Sequence, residues 1–112
     1  MLHIEHEPIK MVRDGLCFTW DDEKERVNIE KHGISFALAT IVFFDESAVV
    51  SFNSFDRRTG EERYDVTGIP LPKTLFVVYA ERVTVSKRDV IRIISARRAN
   101  RKERKRYVTG IK

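Results

Sequence analysis

The sequence has very little cysteine and no long apolar run, and both absences restrict the class of protein. Cys17 is the one cysteine among 112 residues, so no internal disulfide can form, which suits a reducing cytosol. No run of about 18 apolar residues is present that could span a membrane. The N-terminal residues contain acids and no apolar core, so we expect no signal peptide. These absences predict a cytoplasmic protein without a membrane partner.

Motifs for metal, phosphate-loop and triad chemistry are also missing. The three histidines and the single cysteine form no HxH, CxxC or HExxH spacing, and short motifs bind zinc through such spacings. There is no glycine-rich phosphate loop, and no nucleophilic triad has a recognisable pattern. We therefore predict no metal site and no cofactor.

Positive charge is concentrated in one short segment, residues 97–106. This segment holds seven basic residues and one acidic residue, whereas the rest of the chain holds 14 basic and 16 acidic residues. The net charge of +4 therefore arises here. A local excess of this kind indicates a polyanion or an acidic protein as partner. For catalysis it is weak evidence, because runs of charge are usually solvated faces.

Length and patterning predict one domain with mixed secondary structure. A chain of 112 residues with 42% hydrophobic content can bury a core. Capping-box patterns begin at Asp22 and Asn100. They predict one helix from about Glu23 to His32 and another from Asn100 to about Val108, in which Glu103 is a capping residue. A middle helix is expected from Phe36 to about Phe43, because apolar side chains surround that stretch.

Four strands are predicted between the middle helix and the last one. They lie at about 48–55, 63–67, 75–85 and 90–97, and short turns join them, which implies antiparallel neighbours. The expected fold is α+β, with two N-terminal helices packed on a four-stranded, mainly antiparallel sheet and a C-terminal basic helix.

The candidate site residues are mainly cations. Lys24, Asn28 and His32 are spaced by four and share one helix face. Arg92 interrupts an apolar run, which costs free energy of burial unless its guanidinium is paired or faces a ligand. The wider set of cations and one tyrosine is Lys24, His32, Arg63, Arg82, Arg92, Arg97, Arg98 and Tyr107. Such a set suits metal-free RNA cleavage, because cations stabilise the charge that develops on the phosphate.

Each candidate also has a purely structural interpretation. His32 can cap the carbonyl groups at a helix end, and Tyr107 can pack against the sheet. Lys24 can be an ordinary solvated residue of a first helical turn. The spacing of these residues alone does not decide between structure and function.

Three separated segments together resemble one known protein family. They read WDDEKERVNIEKHGISFALATIVFFD, GEERYDVTG and IRIISARRANRKERKRY. In this order they resemble the BrnT family of toxins from type II toxin–antitoxin systems. The resemblance covers roughly residues 18–110 and implies a RelE-like ribonuclease fold. We therefore expect residues 18–112 to form a single toxin domain and residues 1–17 to be an N-terminal extension.

The resemblance implies a ribonuclease toxin that inhibits translation by metal-independent RNA cleavage. A cognate, BrnA-like, DNA-binding antitoxin would neutralise it and repress the operon through operator DNA. The predicted catalytic residues are His32, Arg63, Arg92, Tyr107 and Lys24. The predicted RNA-binding residues are Asn28, Arg82, Arg97, Arg98, Arg101 and Arg104.

Two alternatives to a ribonuclease stay open at this point. The first is a non-catalytic, toxin-like scaffold that binds an antitoxin and takes part in operon repression. The second is a plain RNA-binding protein. If the chain is a toxin, we expect an acidic or amphipathic antitoxin segment to cover the basic helix and the adjacent sheet face, because opposite charges speed encounter.

Overall fold

Seven strands form one mixed sheet in the computed structural model, which describes residues 3–110. Residues 3–110 also form three helices, and the second helix continues into a 3₁₀ segment. The strands are β1 His3–Glu5, β2 Met11–Arg13, β3 Leu16–Thr19, β4 Val49–Phe55, β5 Glu62–Gly68, β6 Leu75–Thr84 and β7 Asp89–Arg98. The helices are α1 Asp22–His32, α2 Phe36–Ala39 with the 3₁₀ segment Thr40–Phe44, and α3 Arg101–Thr109.

The sheet order is β2-β3-β7-β6-β5-β4, and β1 pairs with β6. Two pairings are parallel, β3 with β7 and β1 with β6, and the others are antiparallel. The expected RelE-like arrangement, with two N-terminal helices on a four-stranded, mainly antiparallel sheet, is therefore wrong. Strands β1 to β3 have only three or four residues, which is too short for a visible alternation. The parallel partners of β1 and β3 lie about 70 to 80 positions further along the chain, so no short turn in the sequence indicates these pairings.

The helix ends follow from capping. Asp21, one residue before the predicted cap, accepts hydrogen bonds from the backbone N–H groups of Glu23 and Lys24, at 2.9 and 3.1 Å. Gly33 ends α1 in the left-handed conformation, with φ of 69°, which glycine adopts without steric cost. The capping box of α3 is confirmed, with Asn100 and Glu103 bonding each other's backbone N–H groups. The middle helix is shorter than predicted and tightens to a 3₁₀ segment at Thr40.

One face of the sheet packs against α2 and the 3₁₀ segment to form the core. Phe36, Ala39 and Val42 are fully buried there. Phe18 of β3 and Ile93 of β7 belong to the same apolar cluster. This burial is the main favourable contribution to folding, because it removes apolar surface from water. It also leaves the opposite face of the sheet available for polar side chains.

No single helix among residues 3–110 is long and apolar enough to cross a membrane. Only α1 together with the segment Phe36–Phe44 reaches the required length and composition, and the two are bent by 87°. Most of the apolar residues of Phe36–Phe44 belong to, or pack against, the core cluster described above.

Candidate functional site

Three adjacent strands place four of the predicted arginines on the sheet face opposite α2. We call Arg63, Arg82, Arg92 and Arg97 together the arginine face. The register pairs Arg92 with Ala80 and Arg97 with Phe76, and alternate residues of a strand point to one side. The same alternation carries Arg82 on β6 and, one strand further, Arg63 on β5. The sequence separates these residues by up to 34 positions, and the sheet brings them together.

Buried carboxylates bind two of these arginines at the centre of the face. Arg82 donates to both oxygens of Glu61, at 2.7 and 2.9 Å, and its Nη1 lies 3.2 Å from Glu5. Arg92 donates to the other oxygen of Glu5 at 2.8 Å. The side chains of Glu5 and Glu61 are only 2% and 4% exposed. The four side chains therefore form one continuous ion-pair cluster.

The pairing of Glu61 with Arg82 shifts the pKa of both groups. Burial raises the pKa of the Glu61 carboxyl, but the hydrogen bonds and charge of Arg82 outweigh burial and bring that pKa below its ordinary value. The hydrogen bonds that Arg82 donates to Glu61 in turn raise the pKa of Arg82. At neutral pH the acid is ionised and the guanidinium is charged, so the cation is held ready in one orientation.

The other two arginines lie at the two ends of the face. Arg63 is 3.4 Å from Asp56, and its Nε is buried without a hydrogen-bond partner among residues 3–110. Arg97 makes a two-pronged contact with Glu103, at 2.8 and 2.9 Å, and stacks over the ring of Phe76 at 4.3 Å. A guanidinium fixed by both a carboxylate and an aromatic ring has little rotational freedom left.

A groove of about 290 Å³ separates α1 from β7, and three more of the predicted site residues line it. Lys24 and His32 line it and are exposed. Ser95 lines its other wall and lies on β7 between Arg92 and Arg97. The groove therefore adjoins the arginine face at Ser95.

Asn28 also lines this groove and makes its hydrogen bonds within the protein. Its amide nitrogen donates to the carbonyl oxygens of Ala96 and Ile34, at 2.7 and 2.9 Å. Its amide oxygen accepts from the backbone N–H of Ala96 at 3.1 Å. Strand β3 pairs with β7 only at Ile91 and Arg92. The backbone N–H and carbonyl groups of Ala96 lie beyond that pairing, and the Asn28 side chain makes their hydrogen bonds. The described contacts give Asn28 the role of fixing α1 to the sheet.

Tyr107 is placed away from the arginine face. Its hydroxyl donates to Asp45 at 2.6 Å, and it lines a depression with residues 46–49. Burial and the hydrogen bond to Asp45 raise the pKa of Tyr107 to about 12. Burial raises the pKa of Asp45, but hydrogen bonds from Tyr107, Ile69 and Ser47 bring it below the ordinary value. The tyrosine therefore keeps its proton at neutral pH.

The remaining predicted RNA-binding residues, Arg98, Arg101 and Arg104, form an exposed basic surface at the start of α3. Arg104 also donates to the carbonyl oxygen of Ala99 at 2.6 Å. Glu103 lies among these exposed cations in the sequence, but its side chain is buried. Burial raises the pKa of Glu103, but Arg97 and the backbone N–H of Asn100 outweigh burial and lower it.

Sequence reasoning missed the acids that orient the arginines. Glu61 stands two residues before Arg63 in the GEER segment, and its alternation with Arg63 could have placed it on the same face. Glu5 is 87 positions from Arg92, and no pattern in the sequence indicates that contact. Among residues 3–110, no three His, Cys, Asp or Glu side chains are grouped so that they could hold a metal ion.

A small α+β protein with preoriented guanidinium groups on one sheet face, beside a groove containing a histidine, has features that are typical of proteins that bind polyanions such as RNA. The family is more specific. A sequence model described as "Ribonuclease toxin, BrnT, of type II toxin-antitoxin system" matches residues 20–103, so the chain belongs to the BrnT family. A search of curated proteins finds no match.

Family membership confirms the coarser part of the prediction from sequence. The family is one of ribonuclease toxins, which makes RNA the substrate and an antitoxin the partner. The description of the family supports endoribonuclease activity. The roles of individual residues stay predictions.

Proposed function

We propose that this chain cleaves RNA on the arginine face without a metal ion and thereby inhibits translation in the cytoplasm. The observation that carries the proposal is the convergence of four arginines from β5, β6 and β7 on one face. RNA cleavage through the 2′-hydroxyl creates extra negative charge on phosphorus, and fixed cations stabilise that charge.

In the proposed reaction, the 2′-oxygen of RNA forms a bond to the adjacent phosphorus while the bond from phosphorus to the 5′-oxygen breaks. A base takes the 2′-hydroxyl proton, and an acid gives a proton to the leaving 5′-oxygen. His32 and Lys24 in the adjoining groove are the proposed proton carriers, and Arg63 and Arg92 hold the phosphate. Tyr107 stays a predicted catalytic residue, but it would have to leave Asp45 to act.

The antitoxin is proposed to cover the same surface. We infer that an acidic or amphipathic segment of a BrnA-like, DNA-binding antitoxin lies over α3 and the arginine face and that the complex represses its operon at operator DNA. The exposed cations of α3 support this proposal, because they form a positive surface beside the arginine face. A partner that covers the arginine face would also exclude RNA.

Incubation of the purified protein with end-labelled RNA in EDTA tests the proposal. Cleavage that continues in EDTA is the expected result. Loss of cleavage in EDTA that Mg²⁺ or Zn²⁺ restores would overturn metal independence. A protein that arrests growth without cutting any RNA would instead indicate the non-catalytic scaffold.

A further inference from the structure

The N-terminal strand β1 reaches into the middle of the arginine face. We propose that Arg82 and Arg92 form a binding subsite for one RNA phosphate and that Glu5 of β1 occupies this subsite until RNA displaces it. The inference rests on the proposed function. It adds a phosphate subsite to that function and identifies Glu5 as a side chain of the protein that competes with RNA for the subsite.

The geometry of Glu5 is that of a phosphate substitute. Its two carboxylate oxygens each receive one guanidinium, from Arg82 at 3.2 Å and from Arg92 at 2.8 Å. The second oxygen also accepts the backbone N–H of Glu7 at 3.0 Å. The two non-bridging oxygens of a phosphodiester have a similar separation and the same charge, and arginine binds phosphates and carboxylates in the same two-pronged way.

The net charge of the ion-pair cluster depends on Glu5. Glu5 and Glu61 together balance Arg82 and Arg92, so the cluster is neutral at rest. Glu61 contacts Arg82 alone, whereas Glu5 is the one carboxylate in an ion pair with Arg92 among residues 3–110. Withdrawal of Glu5 therefore uncovers a net positive charge centred on Arg92.

Strand β1 is short, and few of its side chains are buried. It has three residues, and it pairs with β6 over those three positions alone. Ile4 is 54% exposed, and Glu5 is the one buried residue of the strand. With so little apolar burial, the ion pairs of Glu5 are the main side-chain contacts that fix the strand. The region matched to the family begins at residue 20, so β1 lies outside it.

Binding of a labelled single-stranded RNA to Glu5→Gln tests the inference. Fluorescence anisotropy should show about ten-fold tighter binding than wild type, because the variant frees one cation site. The dependence of log K on log salt should steepen by about 0.7, the increment for one more phosphate contact with a single strand. In the double variant Glu5→Gln with Arg92→Gln, the gain should disappear.

The matched control is Glu7→Gln, which makes the same change in charge two residues away on an exposed side chain. Equal affinities of Glu5→Gln and Glu7→Gln, in a protein that binds RNA, would overturn the subsite. Failure of wild type and every variant to bind or cut RNA would instead overturn the proposed function. If Glu5→Gln does not fold, Ile4→Gly provides the test, since it weakens β1 without altering charge. It should also tighten RNA binding, and unchanged affinity would contradict the inference.

Discussion

The arginine face and helix α3 both carry clustered arginines, but they hold them in different ways. On the sheet, Arg82 and Arg92 are mostly buried, and each is bound to a buried glutamate. On α3, Arg101 and Lys102 are exposed, and no ion pair fixes them among residues 3–110. Buried pairs fix position and orientation, whereas exposed cations act at long range and are screened by salt. We therefore propose that the sheet supplies the geometry of the RNA site and that α3 supplies long-range attraction.

Glu103 connects the two regions, and its removal should have the largest effect on stability. Glu103→Ala should lower the free energy of unfolding by about 2–3 kcal/mol. A broken buried pair costs about 3–5 kcal/mol, and we discount this because the side chain of Arg97 is 36% exposed. Urea unfolding measures the change.

The matched control for Glu103 is Glu46→Ala, which truncates an exposed acid in a turn. It should change the free energy of unfolding by less than about 0.5 kcal/mol. Equal losses in the two variants would show that the Arg97–Glu103 pair does not hold α3 to the sheet.

Substitutions on the arginine face should reduce the chemical rate more than substitutions on α3. Arg63→Ala, Arg92→Ala and His32→Ala should each slow RNA cleavage by at least about ten-fold, as expected for lost contacts to the transition state. Arg101→Ala should slow it by less than about two-fold. The rates are compared under single-turnover conditions. Thermal unfolding midpoints near wild type are required, and a fully active triple variant would remove the proposed site.

Lowering the pH should weaken the ion pair between Arg97 on the sheet and Glu103 on α3. The folded pKa of Glu103 lies below its ordinary value, so its stabilising contribution is present above the unfolded pKa of about 4.3 and is lost as pH falls towards the folded pKa. Glu103→Gln should therefore be less stable than wild type at neutral pH, and the difference should shrink below about pH 4. Urea unfolding at several pH values measures it. Parallel stability curves for the two proteins would contradict this assignment.

Local sequence patterns predicted the helix ends and the four strands β4 to β7 well, and the short strands β1 to β3 and their pairings poorly, for a physical reason. The caps of α1 and α3 are set by residues within three positions of each other, so Gly33 and the Asn100–Glu103 box are visible in the sequence, and the N-terminal cap of α1 lies one residue from its predicted position, at Asp21. The parallel pairs of β1 and β3 depend on contacts across most of the chain. Strands of three or four residues carry too little pattern to reveal such contacts.

The same distinction applies to the candidate site. Alternation along β5 placed Arg63 on the face opposite Tyr64 and Val66, and the cost of burying an arginine in an apolar run indicated that Arg92 is either paired or faces a ligand. The structure shows the first of these alternatives, a pair with Glu5. The identity of that partner, Glu5, depends on the parallel register of β1 with β6. Asn28 shared a helix face with Lys24 and His32, but burial distinguishes it from them, and burial depends on tertiary packing.

The smallest expected effect concerns the encounter with the antitoxin, which should depend on α3 more than on the sheet. The double variant Lys102→Glu with Lys105→Glu reverses two exposed cations and should slow association with the cognate antitoxin by a few-fold at low salt. Above about 0.5 M salt the difference should vanish, because screening acts over only a few ångströms there. Arg92→Ala should change the dissociation rate instead, since Arg92 is largely buried and contributes little at long range. Stopped-flow association at several salt concentrations separates the two effects.

Hydrogen exchange gives the position of the antitoxin on the toxin. Protection of the amides of residues 92–107 on binding supports coverage of both the arginine face and α3, and protection confined to α1 and α2 would contradict that coverage.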